Sequence, residues 1–326
     1  MNNKEYMEPR KIKIAFVVGK IPTVSGTFII DQIAGLLDRG IDVEIFSFHK
    51  PETLDNISEK FFRYHMADKT RYLEMPANRI ERLIKAMPKI VCLLLHPRIL
   101  VRALDIRKYG FDALSLRLLY RVVPFVNKNY DLFHVHFGTR ANDFLIIKEI
   151  LGFKQKMITS FYGYDASYIF KRDGDEVYDR LRKECHNFLV MSENMKQRLV
   201  AHGFDPQTIV VHPVGIEPKN YLFEERQNHG GLAEIISVGR FVEKKGFDDL
   251  FRALAIVRGR LGDVFHCTIV GDGQLRDVLH NLADNLGIRD NLDFRGYMPM
   301  EEITKLFLEK DFFVQPSKTA KNGDME

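Results

Sequence analysis

Short runs of branched and aromatic residues alternate along the chain with longer segments that repeat their apolar positions at helical spacing. Ile12–Val18 is rich in Ile, Val and Phe, which predicts a strand buried on both faces. Gly19 ends it, and a loop carrying Pro22, Ser25 and Gly26 follows. Phe28–Asp38 has helical periodicity, Arg39-Gly40 stops it, and Asp42–Phe48 reads as the next strand. Strand, loop, helix, strand is a βαβ unit and implies a parallel sheet. The same alternation predicts strands at Leu132–His136, Met157–Phe161, Asn187–Met191 and Ile209–Val214, with helices at Asn142–Leu151 and Glu193–His202.

Gly215–Gly231 is polar and interrupts the pattern. A second series then begins. Strands are predicted at Glu234–Val238, Phe265–Val270, Leu292–Arg295 and Phe312–Gln315, and helices at Phe247–Leu261, Gln274–Leu286 and Met300–Phe307. The expected division is a first lobe over 1–217, a linker over 218–231 and a second lobe over 232–326. A parallel sheet needs both faces covered, and after Pro316 only a polar loop runs to Glu326. The second lobe is therefore expected to be incomplete. The fold class predicted is α/β, with two doubly wound Rossmann-like lobes and a cleft between them at the carboxyl ends of their strands.

Composition changes this picture little. The 326 residues are 45% apolar and 28% charged, ordinary for a globular protein. Cys92, Cys185 and Cys267 are far apart in sequence, without a CxxC pair, so neither a disulfide framework nor a zinc site is expected. Met1–Lys13 lacks the apolar core of a signal peptide, and a cytoplasmic location is expected. A net charge of +4 gives no reason to expect nucleic acid. The charge is uneven, however. Eleven Lys and Arg lie between Arg79 and Lys128 against Glu81, Asp105 and Asp112, interleaved with Leu and Ile at helical spacing. Two readings stay open: a solvated basic face on core-packed helices, or a surface resting on anionic lipid at the inner face of the plasma membrane.

The densest candidate chemistry is Ser237–Phe247, SVGRFVEKKGF. A strand leads to a glycine turn, then Arg240, a short spacer, Lys245-Gly246 and a helix. Gly239 lets backbone approach a ligand closely. Arg240 offers a planar fork of donors and Lys245 a compact positive charge. The helix start adds its own positive end. Such a set suits a diphosphate.

In that context the stretch from Ile235 to Ser317 resembles the retaining glycosyltransferases of family four, which have the GT-B fold. The matching segments are SVGRFVEKKGFDDL, TIVGDGQLRDVL, LDFRGYMPMEEI and DFFVQPS, in the family's order. The first lobe agrees through VVGKIPTVSGTFIIDQIAGLLDRGIDVEIFSF, DLFHVHFG, SFYGYD and VMSENMKQRLVAHGF. The Ser-x-Thr-Phe loop and the SFYGYD form are most similar to bacterial exopolysaccharide enzymes of the colanic-acid and amylovoran type. The resemblance implies a sugar transferred, with retained configuration, from a UDP-, GDP- or ADP-sugar to a glycan or polyprenyl-diphosphate-linked acceptor, with no metal cofactor. It implies that Arg240 and Lys245 grip the donor diphosphate and that His136 is an active-site histidine. It also implies that Glu326 is the first acid of a Glu-x7-Glu motif whose partner would lie beyond the last residue.

Other positions carry weaker signals. His134 shares a strand face with His136, and a strand histidine is often structural. Asp165, in SFYGYD, is either a polar contact for the donor or a helix cap. Relatives often have His where Tyr162 stands, so a possible imidazole is missing. Ser25 and Gly26 could aim backbone amides at a phosphate, or simply turn the chain; relatives often have Glu at the Gly26 position. Gly271-Asp272-Gly273 reads as a structural turn. Tyr297 could stack near a base or line the cleft. The alternative to an enzyme is a sugar-nucleotide-binding or degenerate protein. A dehydrogenase is disfavoured, because GxGxxG does not follow a strand in either lobe.

Overall fold

The first strand, β1 (Lys13–Lys20), sends its side chains alternately to two cores. Ile14, Phe16 and Val18 join one, and Ala15 and Val17 the other. Both faces of the sheet are therefore covered, as the unbroken apolar run of this strand requires. The computed structural model describes residues 11–24, 26–55, 57–221, 224 and 231–325. The chain divides into two units, Met1–Gly215 and Ile216–Glu326.

In the first unit β1 is followed by α1 (Thr27–Asp38), β2 (Asp42–His49), α2 (Glu59–Arg63) and β3 (Thr70–Tyr72). Five helices then precede the next strand: α3 (Arg79–Leu94), α4 (Pro97–Ala103), α5 (Ile106–Tyr109), α6 (Phe111–Leu114) and α7 (Arg117–Val122). After them come β4 (Leu132–His136), α8 (Gly138–Leu151), β5 (Lys156–Ser160), α9 (Tyr168–Asp173), α10 (Asp179–Glu184), β6 (Asn187–Val190), α11 (Glu193–Ala201) and β7 (Ile209–Val211). The strands are parallel, in the order β3-β2-β1-β4-β5-β6-β7. The chain moves outward from β1 to β3 and then crosses back to β4. That reversal leaves a crevice at the carboxyl ends of β1 and β4, where ligands of such sheets bind.

The second unit contains β8 (Ala233–Val238), α12 (Phe247–Leu261), β9 (Phe265–Val270), α13 (Arg276–Asn285), β10 (Leu292–Gly296), α14 (Met300–Phe307) and β11 (Phe312–Phe313). Its parallel order is β10-β9-β8-β11, so the reversal falls between β8 and β11. Helices α12 and α13 build the main core around Phe251, Ile269 and Leu279. The opposite face carries a smaller cluster of Ile236, Val270 and Ile303, and Phe312 and Phe313 are exposed.

Two local expectations need correction. Helix α8 starts at Gly138 rather than Asn142. In α3, Asn78 caps the amino end by accepting from the Ile80 and Glu81 amides, but the face turned inward is not the apolar one. Ala86 and Leu93 are buried, whereas Ile80, Leu83, Ile84, Met87, Val91 and Leu94 are exposed. A Leu or Ile left in water forgoes about 1.5–3 kcal/mol of burial. The expectation of core-packed apolar positions with a solvated basic face therefore fails for this helix.

Candidate active site

The end of β4 is built around two imidazoles. His134 and His136, two positions apart on one strand, point to the same face and stack with ring centroids 4.4 Å apart. Phe16 of β1 lies against both, at 4.8 and 5.4 Å. His134 Nε2 hydrogen-bonds Ser160 Oγ at 2.8 Å, and His136 Nδ1 hydrogen-bonds the Tyr162 hydroxyl at 2.8 Å. His136 Nε2 has no hydrogen-bond partner among the described residues. His136 is fully buried. Burial, with the neighbouring His134, drives its pKa well below the usual histidine value. Burial likewise pushes His134 down to about 3, with His212 contributing. Both rings are neutral near pH 7. A neutral imidazole can donate or accept a hydrogen bond without bringing a charge into the core.

The residue after His136 is strained. Phe137 has φ of 73°, a region that a bulky side chain rarely occupies. Its amide donates to the Ser160 carbonyl, and the next amide, of Gly138, donates to Asp165 Oδ2 at 2.8 Å. Gly138 is required by space, since a Cβ there would lie 2.6 Å from the Phe161 ring and 2.9 Å from Tyr178. Asp165 is therefore a cap, but not of the helix that follows it. It is fully buried and holds the start of α8 from a distant loop, also accepting from the Tyr162 amide at 3.4 Å. Tyr162 replaces the imidazole expected from relatives with a hydroxyl, and Phe28 and Phe137 pack on its ring. Phe137, Gly138, Ser160 and the positive contribution of Tyr162 were not singled out from the sequence. The HFG run, with a glycine two residues after the strand's last histidine, was the available signal.

In the loop after β1, Gly26 caps α1 without a side-chain bond. A Cβ at that position would overlap Thr23 Oγ1, so a larger residue requires the turn to shift. Ser25 and Glu326 lie outside the described residues.

The second unit gathers its candidates on the carboxyl edge of its own sheet. Beyond β8, Gly239 donates its amide to the Val270 carbonyl, and Phe241 to Asp272. The aliphatic part of Lys245 lies over Gly239, where an added Cβ would meet Lys245 Cδ at 3.4 Å. Arg240 is exposed. Lys244 turns inward and pairs with Asp324 at 3.2 Å. Gly246, at φ of 68°, begins α12, and a Cβ there would overlap the Pro316 carbonyl. Lys318 bonds Asp248 and Asp249 in the first turn of that helix, at 2.7 and 2.8 Å. This pairing offsets acids that otherwise oppose an anion at a helix start. The Gly271 amide donates to Gly296, which brings half-exposed Tyr297 beside the Gly271–Gly273 turn. Thus Gly239, Arg240, Lys245 and Tyr297 share one edge of the second unit, while Gly26, His136 and Asp165 belong to the first. Among the described residues, no group of three His, Cys, Asp or Glu lies together to hold a metal ion.

Comparison with known proteins agrees with both halves. Residues 25–220 match the family described as Glycosyltransferase Family 4, and residues 220–323 match Glycosyl transferases group 1. The amylovoran biosynthesis glycosyltransferase AmsK of Erwinia amylovora is 32% identical over 324 residues, covering 97% of this chain and 78% of AmsK. The putative colanic acid biosynthesis glycosyltransferase WcaL of Salmonella typhimurium is 28% identical, with the same coverage. Anabaena HepE, solved with UDP and glucose, is 15% identical and superimposes with a TM-score of 0.60, covering 95% of this chain and 75% of HepE. At that identity the likeness gives the fold, which is the GT-B class with two Rossmann-like sheets. The buried histidines of β4 and the basic loop after β8 are thus set in a chain that belongs to the family 4 glycosyltransferases.

Proposed function

We propose that this glycosyltransferase moves a hexose, with retained anomeric configuration, from a nucleotide-diphosphate donor to a glycan or lipid-linked acceptor in exopolysaccharide assembly. The observation that carries the reading is the convergence of Gly239, Arg240 and Lys245 on the carboxyl edge of the second unit, beside the start of α12. In the transfer, the bond between the anomeric carbon and the diphosphate oxygen breaks, and its electron pair stays on that oxygen. A new bond forms to an acceptor hydroxyl oxygen, whose proton is released. Arg240 and Lys245 stabilise the charge gathering on the leaving diphosphate. In the first unit, neutral His136 is fully buried, so it acts from behind the crevice, with Nδ1 bonded to the Tyr162 hydroxyl. Asp165 acts one step removed, by fixing Gly138. Support for the donor class comes from HepE, which binds UDP. Support for the pathway comes from the amylovoran and colanic-acid relatives.

The test is calorimetry with UDP-, GDP- and ADP-hexoses, followed by transfer assays with the donor that binds and NMR of the product's anomeric centre. One donor should bind, and Arg240→Ala should lower kcat about 10²–10³-fold without changing the melting temperature. No affinity for any of the three classes, or an Arg240→Ala variant as active as the parent, would overturn the reading.

A further inference from the structure

The basic stretch before β4 has an arrangement that its composition does not disclose: α3 is turned inside out. Ile80, Leu83, Ile84, Met87, Val91 and Leu94 recur at spacings of three, four and seven, which places them on one stripe of the helix. Together with Leu95 they are between 59% and 82% exposed. Two of its cations, Arg82 and Lys89, turn toward the protein beside Ala86, Ile90 and Leu93. Arg82 Nε donates to the Pro76 carbonyl at 2.9 Å and Nη2 to Ala77 at 3.0 Å. Lys89 lies over the Tyr120 ring at 5.0 Å. Val101, Phe111 and Leu114, from the next short helices, are exposed as well. Around this apolar surface stand the exposed cations Arg79, Lys85, Arg98 and Arg107.

We infer that the outward stripe of α3 and its basic surround form a docking surface for an anionic lipid bilayer, into which the aliphatic side chains dip while the cations meet the headgroups. Two features select this occupant. Arg79, Lys85, Arg98 and Arg107 stay exposed in this stretch, whereas Lys108, Arg117, Arg121 and Lys128 pair with acids, and those four exposed cations complement a negatively charged surface. A second copy of the chain is a poor fit, because two-fold pairing sets the same basic surround against itself. Among the described residues no helix is long and apolar enough to cross a membrane, so α3 lies on the surface in the manner of an interfacial helix. The inference rests on the reading above only in giving such docking a purpose, the presentation of a membrane-borne acceptor.

The chain contains no tryptophan, so a single introduced one reports its own surroundings. Met87→Trp is compared with Val278→Trp, a control at an exposed position of α13. Vesicles of phosphatidylglycerol with phosphatidylcholine are added at low salt, without sugar nucleotide. Met87→Trp emission should shift to the blue and be quenched by brominated acyl chains, and Val278→Trp emission should not. Adding Leu83→Glu and Val91→Glu to the Met87→Trp chain should weaken vesicle binding at least about tenfold, with an unchanged far-ultraviolet spectrum, since both side chains stand in water. High salt should weaken it too. Water-like Met87→Trp emission on anionic vesicles would overturn the inference. So would a blue shift that grows with protein concentration in the absence of lipid, which would identify a second copy as the occupant. Neither outcome bears on donor binding, which is measured without membrane.

Discussion

His136 ends a parallel strand and Arg240 follows one, each beside a reversal of strand order, yet their surroundings are opposite. His136 is enclosed by Phe16, His134 and Tyr162, whereas Arg240 stands in water. The contrast follows from what each group can give up. An imidazole can be buried because it can shed its proton and remain a hydrogen-bonding group. A guanidinium keeps its charge, and burying it unpaired would cost far more than a fold can spare. The first unit therefore fixes neutral polar groups by packing. The second holds its cations through backbone, with Gly239 and Gly246 shaping the loop that carries them.

The sharpest test of this contrast is acid. The folded pKa values of His134 and His136 lie below the unfolded value of 6.5. Between them the unfolded chain binds more protons, so stability is fully present above about pH 6.5 and is lost as pH falls toward about 3. Hydrogen exchange at decreasing pH should show amides of β4 and β5 losing protection before those of β8 and β9, because the described histidines of the second unit, His266 and His280, are only half-buried. Equal loss in both units would break the comparison. A smaller effect is expected from Gly138→Ala, where the added methyl meets Phe161 and Tyr178. Overpacking there should cost roughly 2–3 kcal/mol in urea unfolding, and an unshifted midpoint would show that the ring has room to move. The smallest is Tyr162→Phe, which takes the partner from His136 Nδ1. It should lower stability by about 1 kcal/mol and reduce kcat more than it raises KM. A KM effect alone would move Tyr162 from orienting the imidazole to simple substrate contact.

Local pattern revealed most of the fold. Leu132–His136, Phe247–Leu261, Phe265–Val270 and Met300–Phe307 have the bounds that their apolar spacing predicts. The departures are non-local. Helix α8 begins early because Asp165, 27 positions away, accepts from Gly138, and such a cap leaves no trace beside the helix. Strand β3 and helix α2 are too short to establish a period. For α3 the spacing identified an amphipathic helix but could not reveal which side faces inward, since tertiary packing decides that. At the candidate site, Gly239, Arg240 and Lys245 were legible because they form one contiguous run. The pairing of His136 with Tyr162 was not, because it joins two strands' ends.

The left-handed backbone at Phe137 has one more consequence. Its amide and that of Gly138 are anchored to two different segments, at Ser160 and Asp165, so the turn fixes the phase of α8 as well as its start. One inserted or deleted residue here would rotate the helix by about 100° and carry Ala141, Phe144 and Leu145 out of the core they now fill. Length variation among homologues should accordingly avoid this junction, whatever substitutions it accepts.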